Sequence, residues 1–439
     1  MSYIPLTDIE IKNDTGNAIP VSQATVPWQV QVSSNTIAPV NMAFPATSLD
    51  AFGRLRVSEP YTIFDNALRF GDDSRNWDQA TVGAAQAAHN ANTSSMTMTV
   101  TTAQNDRVTR RTKRYFLYQP GKSLLVLNTF TLQPVTGVKQ RVGYFDDRNG
   151  VFLEQYGDTT AFVKRTAKTG TATDIRVPQY MWNGDRLDGT GGADNPSGIE
   201  LDMTKSQIFW CDIEWLGVGS VRFGFIIDGR YIVCHTIHHA NNTQSTYMST
   251  ASLPLTYEIH NVDGSSATAY LEQICSSVIS EGGFSPRVAT RAISTALAGI
   301  NMSTTVFRPL VAIRLKSNRI GGIVVPVVMN LYGLQATPFD YKVLQGAAIT
   351  GGTWVSAGAE SHVEYNVTAT ALTGGDPLLQ GIFTGGTASG PLTQSFKEFD
   401  SGYQLKAKLD GTTETFVVSA IGTTNNDDAI ASLIWEEFN

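Results

Sequence analysis

The sequence predicts an all-β fold, an antiparallel β-sandwich, from three observations. Apolar residues recur at every second position in many short segments, a spacing that places them on one face of a strand. Turn dipeptides such as Asp228-Gly229 separate these segments. Long segments with the apolar spacing of an amphipathic helix are not evident. At 439 residues the chain is expected to form two or three domains.

Residues 1–45 predict an extended N-terminal arm. Proline removes a backbone donor and favours extended geometry in the residue before it, and five prolines punctuate this segment. They are Pro5, Pro20, Pro27, Pro39 and Pro45. We expect the arm to pack on another chain or on the body of its own chain, because it has no core of its own. A freely moving terminus is the alternative.

Residues 46–285 predict a large β-sandwich domain. The apolar run 123–132 predicts a buried strand, and the segments between 140 and 165 predict a meander with short turns. Alternation is clearest at 207–239, where two strands and the turn at Asp228-Gly229 form a predicted hairpin. The segment 80–91 has a helical composition without an apolar stripe, which predicts a loop or one short helix.

The rest of the chain is predicted to form a linker followed by a second domain. Residues 286–305 are rich in Ser, Ala and Thr and predict a linker. Residues 306–439 contain further alternating segments, which predict a smaller C-terminal β-sandwich domain. They include 311–315, 323–331, 363–367, 415–421 and 429–435.

Composition excludes several classes of function. Charged residues make up 16% of the chain and the formal net charge is −7, which argues against general nucleic-acid binding. Three scattered cysteines, Cys211, Cys234 and Cys275, predict free thiols. The first residues show no secretory signal, and no apolar stretch approaches the length of a membrane span. We expect synthesis in a cytoplasm, no membrane insertion and no cofactor.

One pair of carboxylates is a candidate site for sugar binding. Asp212 and Glu214 lie two residues apart on one predicted strand face, beside Trp210 and Trp215. Such neighbours lie about 7 Å apart, and a glycosidase needs two carboxylates about 5–10 Å apart. A solvent-facing strand edge is the favoured alternative, and cation binding is a further one. We therefore assign no catalytic residue.

Two other clusters carry chemistry-bearing side chains. The first contains Cys234, His235, His238 and His239. Zinc sites usually draw such ligands from two segments, and alternation along a strand would split these histidines between two faces. We therefore predict structural or interface histidines and no metal site.

The second cluster is basic and precedes the aromatic pair Tyr115 and Phe116. We expect a solvated face, with contact to an acidic partner or to nucleic acid as alternatives; the two aromatic residues are expected to start a core strand. The cluster consists of Arg107, Arg110, Arg111, Lys113 and Arg114.

Several motifs resemble a family of tailed-bacteriophage virion structural proteins, common in marine and cyanobacterial phages. They are AFGRLRVSEPYTIFD at 51–65, YQPGKS at 118–123, RVGYFD at 141–146, and the segment from Trp210 through 215–219 and 222–225 to Asp228-Gly229-Arg230. The resemblance covers about 46–275. It implies a sandwich of the jelly-roll or lectin-like kind and no catalytic residues.

The resemblance implies a part of the virion that acts by assembly and is not an enzyme. We expect a tail-associated component in the baseplate, fibre or adaptor region, and a homo-oligomer in contact with other virion proteins. A capsid-decorating or neck protein is the alternative within this class. A carbohydrate-binding or depolymerising adhesin that contacts a host surface glycan is the alternative from another class.

Overall fold

A computed structural model describes residues 59–386, 390–396 and 402–438. The predicted N-terminal arm, 1–45, lies outside these residues, as does the first half of the 51–65 motif. In the described residues the fold is all-β and antiparallel, as predicted. One short 3₁₀ helix, Gln179–Met181, interrupts the strands. Among the described residues, no helix has both the length and the apolar character needed to cross a bilayer.

The first sandwich consists of fifteen strands. They are β1 (Pro60–Ala67), β2 (Trp77–Val82), β3 (Gln86–Asn90), β4 (Ser95–Val100), β5 (Arg107–Thr112), β6 (Ser123–Leu132), β7 (Val138–Phe145), β8 (Gly150–Tyr156), β9 (Thr159–Thr166), β10 (Thr173–Pro178), β11 (Gln207–Ile213), β12 (Val221–Ile227), β13 (Arg230–Ile237), β14 (Leu255–Asn261) and β15 (Ala269–Glu281).

These strands form two facing sheets. The eight-stranded sheet has the order β13-β12-β11-β6-β15-β4-β3, with β1 also paired to β15. The seven-stranded sheet has the order β10-β9-β8-β7-β14-β5-β2. Phe162 of the seven-stranded sheet stacks on Phe223 of the eight-stranded sheet, with ring centroids 4.8 Å apart. Side chains from both sheets share one core, so hydrophobic burial between the sheets holds this sandwich together.

Within the described parts of the chain, the second sandwich consists of the remaining thirteen strands. They are β16 (Val288–Ser294), β17 (Ile300–Asn301), β18 (Arg308–Leu315), β19 (Ile323–Gly333), β20 (Pro338–Gln345), β21 (Ala348–Thr350), β22 (Val355–Ser356), β23 (Val363–Asn366), β24 (Ala371–Thr373), β25 (Asp376–Thr384), β26 (Leu392–Ser395), β27 (Phe416–Ile421) and β28 (Asp428–Phe438).

This sandwich has a core of its own. Its five-stranded sheet runs β16-β28-β19-β26, with β17 paired to β28, and its six-stranded sheet runs β22-β23-β18-β27-β20-β25. The strands β21 and β24 form a separate ribbon. Leu331 and Trp435 of one sheet and Val343 and Val418 of the other belong to a single buried cluster.

Two expectations for local structure need correction. Residues 80–91 form neither a loop nor a helix: they end β2 and form β3, because β5 and β4 supply the ladder partners. The segment 286–305 contains β16, which pairs with β28 from Val288 to Ser294, so part of the predicted linker belongs to the second sandwich. The predicted domain boundaries remain predictions.

The predicted turn at Asp228-Gly229 is confirmed. Asp228 has φ 51° and Gly229 has φ 72°, and two consecutive positive φ angles define the type I′ turn that suits the twist of paired strands. The turn joins β12 to β13, which pair from Ile227↔Arg230 to Val221↔Ile237. This hairpin carries part of the site described below.

Polar contacts link the two sandwiches, and we call them the joint. Lys113 forms an ion pair with Glu414 at 2.8 Å, and the Lys406 ammonium donates to the Arg75 carbonyl at 2.9 Å. The Leu409 backbone N–H donates to Asp78 at 2.7 Å. Burial lowers the pKa of Lys406 to about 8, partly offset by Glu414.

Candidate functional site

Strand β11 places Asp212 on the outer face of the eight-stranded sheet, away from the core. Its neighbours Cys211 and Ile213 belong to the core, and successive side chains of a strand point to opposite faces. Ladder pairing sets Asp212 opposite Arg222 of β12, and Arg222 opposite Thr236 of β13. The register therefore aligns polar side chains from three strands in one row.

Asp212 is 5% exposed. The sequence favoured a solvent-facing carboxylate, and the structure corrects that expectation. Arg222 donates from Nε to Asp212 Oδ2 at 2.9 Å, and its Nη2 contacts the same oxygen. The Ser123 hydroxyl donates to Oδ1. Both oxygens of this carboxylate are thus engaged, and contacts to a charged partner are the stronger kind of hydrogen bond. A carboxylate bound in this way is poorly placed to act as a nucleophile.

A second polar row lies beside the first. Glu214 is exposed and accepts a hydrogen bond from the Ser220 backbone N–H at 3.3 Å. The Ser220 hydroxyl lies 3.1 Å from His238 Nδ1. Lys122 donates from Nζ to the Gly283 carbonyl at 3.0 Å. Residues from three separate chain segments therefore meet at one end of the outer face.

These two rows line a pocket of about 470 Å³, which we call the outer-face pocket. Small-molecule sites typically have volumes of about 300–1,000 Å³. The lining residues are Gly121, Lys122, Ser123, Asp212, Glu214, Leu216, Ser220, Arg222, Thr236 and His238.

Glu281, the last residue of β15, lies near this pocket. Burial raises the pKa of the Glu281 carboxyl and the charge of Asp212 raises it further, while Arg222 lowers it. Ladder pairing brings Glu281 opposite Ser123, the residue that binds Asp212. Glu281 thus places a further carboxyl group near Asp212, on a different strand and outside the pocket lining.

Trp210, which the sequence placed in the candidate sugar site, is 3% exposed and does not line the pocket. Its indole packs across Gly224, where an added Cβ would lie 2.8 Å from the ring. Its Nε1 donates to the Phe225 carbonyl at 3.3 Å, and its ring meets Tyr231 edge to face at 5.7 Å. Because this ring is covered, it offers a sugar no stacking surface.

The Cys234–His239 cluster is dispersed by the structure. A register shift between Phe223 and Gly224 inserts Cys234 as a bulge residue in β13, so Cys234 and His235 are both buried, and strict alternation does not hold here. His238 lines the outer-face pocket. Among the described residues, no three of His, Cys, Asp and Glu are grouped to hold a metal ion.

His239 is buried in a polar contact of its own. Its Nδ1 donates to the Gly219 carbonyl at 2.6 Å, so its Nε2 accepts from the Lys164 ammonium at 2.8 Å. The ring stacks on Tyr247 with centroids 3.9 Å apart. Burial lowers the pKa of His239 to about 4, and the positive charges of Lys164, His238 and Lys168 act in the same direction. The Gly219 contact opposes them.

The basic cluster is a further correction, because most of it is buried and internally bonded. Arg110 is 2% exposed and donates to Gln273, Gln79 and the Asp72 carbonyl. Burial lowers the pKa of Arg110 to about 10. Arg111 forms an ion pair with Asp147 at 2.8 Å.

Most of the remaining charged residues in that segment are also buried or paired with other residues. Lys113 belongs to the joint, and Arg114 is buried over the rings of Phe64 and Phe116. Arg107 remains exposed. Phe116 belongs to the core, as predicted. The cluster is therefore structural over most of its length.

Sequence patterns pointed to Asp212 and Glu214 but missed the other pocket residues. Arg222 and Thr236 follow from the hairpin register, which the turn signal at Asp228-Gly229 helps to predict. Ser123 and the nearby Glu281 come from β6 and β15; β6 pairs with both β11 and β15, and these pairings span long stretches of sequence. No local signal in the sequence identifies those partners.

Comparisons with known proteins returned structural similarity alone. No protein-family model matches the chain, and no curated protein matches it. Among solved structures, a β-glucanase from Bacillus licheniformis is 10% identical, with a TM-score of 0.31, over 52% of this chain and 99% of that chain. A β-1,3-glucanase from Mycobacterium marinum is 11% identical, with a TM-score of 0.33, over 50% and 98%.

The binding domain of botulinum neurotoxin serotype G is similar too. It is 6% identical, with a TM-score of 0.30, over 50% of this chain and 47% of that chain. At these identities and TM-scores, the similarities say nothing about what this chain binds or catalyses.

Proposed function

We propose that this chain is a structural component of a bacteriophage virion that acts by oligomeric assembly. The motifs at 51–65, 118–123, 141–146 and 210–230 support the proposal through their resemblance to virion proteins. A charged fraction of 16% also supports it, because the buried centres of protein interfaces are poor in charge.

The observation that carries the proposal is that the candidate reactive groups are engaged in hydrogen bonds within the fold. Asp212 is bound by Arg222 and Ser123, and His239 is bound by Gly219 and Lys164. Arg110 is bound within the first sandwich. Catalysis requires groups that are free to exchange partners with a substrate. These groups instead hold strands and loops together, as expected of an assembly part.

Exposed apolar side chains offer candidate contact points for other subunits. In the described residues, several large apolar side chains are more than half exposed, and covering apolar surface with another subunit is favourable. They include Phe70 (90%), Leu297 (86%), Tyr180 (71%), Ile382 (71%) and Val306 (63%). We propose contacts with further copies of the chain and with other virion proteins.

Within the particle, we propose a tail-associated position in the baseplate, fibre or adaptor region. The test is quantitative mass spectrometry of purified particles, with the copy number of this chain measured against the major capsid protein. We expect a low, fixed copy number that co-purifies with isolated tails. A copy number close to that of the capsid protein would favour capsid decoration, and absence from purified particles would refute the virion role.

A depolymerising adhesin remains the competing function. It would require Asp212 and a second carboxyl, Glu214 or Glu281, to act on a glycosidic bond. The assay is reducing-end release from host surface polysaccharide by the assembled oligomer. We expect none. Release that Asp212→Asn or Glu281→Gln abolishes would overturn the proposal.

A further inference from the structure

We propose that the outer-face pocket binds a short, uncharged saccharide without cleaving it. The inference goes beyond the assembly role and does not depend on it, because it concerns a site within a single chain. It is carried by the mixture of hydrogen-bonding groups in the pocket, by their balanced charges and by the strand pairing that positions Asp212, Arg222 and Thr236.

The hydrogen-bonding groups match a polyol. Each hydroxyl of a sugar donates one hydrogen bond and accepts others, so it needs donors and acceptors side by side. The pocket supplies the Glu214 carboxylate as acceptor, the Arg222 guanidinium as donor, and the hydroxyls of Ser220 and Thr236 as both. These groups lie in two adjacent rows, at the spacing of neighbouring strands.

The charges in the pocket are balanced. Asp212 and Glu214 are opposed by Arg222 and Lys122, and Asp212 is already paired with Arg222. A site for phosphate or for a cation would instead present charge of one sign. The lining therefore favours a neutral ligand over either kind of ion.

Part of the hydrogen-bonding capacity remains open to solvent. The Arg222 side chain is 54% exposed although it binds a buried carboxylate, so donors that do not face Asp212 are accessible. Glu214 and the nearby Leu216 are exposed as well. Leu216 offers an apolar contact for the C–H face of a sugar ring. Among the described residues, no Phe, Tyr or Trp side chain lines the pocket, so we expect modest affinity, with a Kd of about 0.1–1 mM.

Paired strands hold part of the pocket, whereas Glu214, Ser220 and His238 lie in the loops at the strand ends. Arg222 and Thr236 lie in paired strands of the hairpin, and Ser123 and Asp212 lie in β6 and β11, which pair from Gln207 to Ile213. The Thr236 backbone N–H is also fixed by Asn183, at 2.8 Å. Groups that are held in place before binding cost less conformational entropy when a ligand binds.

Ligand-observed NMR on the full chain tests the inference. The probes are maltotriose, cellotriose, mannotriose and triacetylchitotriose, with trigalacturonate as the charged comparison. We expect at least one neutral trisaccharide to bind more tightly than trigalacturonate. No binding of the neutral probes at about 10 mM would overturn the proposal, as would tighter binding of the charged probe.

Two substitutions test whether the saccharide binds in the outer-face pocket. Arg222→Lys keeps the charge beside Asp212 but removes the planar fork of donors, and Glu214→Gln changes an exposed acceptor without a buried contact. We expect each to weaken binding about tenfold, or 1.4 kcal/mol. Glu272→Gln, on β15 of the same sheet and outside the pocket lining, is the matched control.

The outcomes separate this inference from the proposed function. Binding that neither pocket variant weakens, or that Glu272→Gln weakens equally, would overturn the pocket assignment while leaving the virion role intact. Conversely, the chain's absence from purified particles would remove the virion role without affecting saccharide binding. Cleavage of a bound trisaccharide, detected as new reducing ends, would contradict binding without cleavage.

Discussion

The outer-face pocket and the joint between the sandwiches both contain charged side chains. In the joint these side chains are mostly buried, whereas in the pocket one of them is half exposed. In the joint, the side chains of Lys113 and Glu414 are 14% and 10% exposed, and they pair with each other. In the pocket, Arg222 is 54% exposed although its partner Asp212 is buried. Charged groups enclosed by protein act as structural links, whereas a charged group that is half open to solvent keeps donors for a ligand.

The comparison also holds for two histidines that are adjacent in the sequence. His238 lines the pocket, and His239 is 1% exposed, fixed by Gly219 and Lys164. One peptide bond separates a group available to a ligand from a group that fastens a loop to the sandwich. The following predictions test whether burial decides if a polar side chain has a structural role or is available to a ligand.

The largest effect is expected at the joint. Glu414→Leu removes the partner of Lys113 and the nearby negative charge that favours protonated Lys406. A buried charge left without its partner costs about 3–5 kcal/mol. We therefore expect the free energy of unfolding, measured by urea denaturation, to fall by about 3 kcal/mol.

The double variant Lys113→Met/Glu414→Leu is the control for this prediction. Replacing both partners of a buried pair with apolar groups is often neutral, so we expect it to recover most of the lost stability. A Glu414→Leu variant as stable as the unmodified chain would show that the joint is open to solvent, and the contrast with the pocket would fail.

A smaller effect is expected from His239 in acid. Its pKa is about 4 in the fold, below the ordinary value of about 6.5 for an unfolded chain. The fold therefore disfavours the protonated form. Its contribution to stability is complete above pH 6.5 and is lost as the pH falls through 4. The loss approaches about 3 kcal/mol, at about 1.36 kcal/mol per pKa unit.

Chemical denaturation between pH 7 and pH 4 measures this contribution. The variant His239→Gln should remove most of the pH dependence assigned to this site, whereas His238→Gln, the exposed neighbour, should leave most of it in place. If His239→Gln has the same pH dependence as the unmodified chain, burial does not hold His239 in its neutral form.

The smallest effect is expected at the turn that supports the pocket. Gly229→Val places a β-branched side chain at φ 72°, a conformation that such residues rarely adopt. An added Cβ would meet nothing within 4 Å there, so backbone strain alone should lower the free energy of unfolding, by about 1–2 kcal/mol.

Gly71→Val is the matched control for the turn. A Cβ at Gly71 also meets nothing within 4 Å, and its backbone is not in the positive-φ region. We expect a thermal melt of this variant to match that of the unmodified chain. Equal destabilisation by the two substitutions would argue against strain at the turn.

The sequence predicted the strands and the hairpin well because those features are local. Alternation from Phe209 to Ile213 and from Val221 to Ile227 follows from a side-chain period of two, and Asp228-Gly229 carries its own turn preference. The same reasoning failed at 80–91. There, partners in two different sheets stabilise strands that the composition does not favour.

The site was less predictable because long-range pairing decides it. Arg110 follows a strand pattern, but only its approach to Gln273, 163 residues away, shows why a guanidinium is buried there. The sequence predicted Trp210 as a sugar-binding residue beside Asp212, and only the packing against Gly224 shows that its ring is covered. Composition and alternation identify an element, whereas the register between distant strands determines which side chains meet.

We propose that this chain is an assembly part of a virion. Symmetry-resolved density of intact, purified particles tests that claim most directly. We expect repeated density in the tail region into which both sandwiches fit, with Asp212 and Arg222 on a face accessible to solvent. Density that accounts for the whole particle without this chain would contradict the claim.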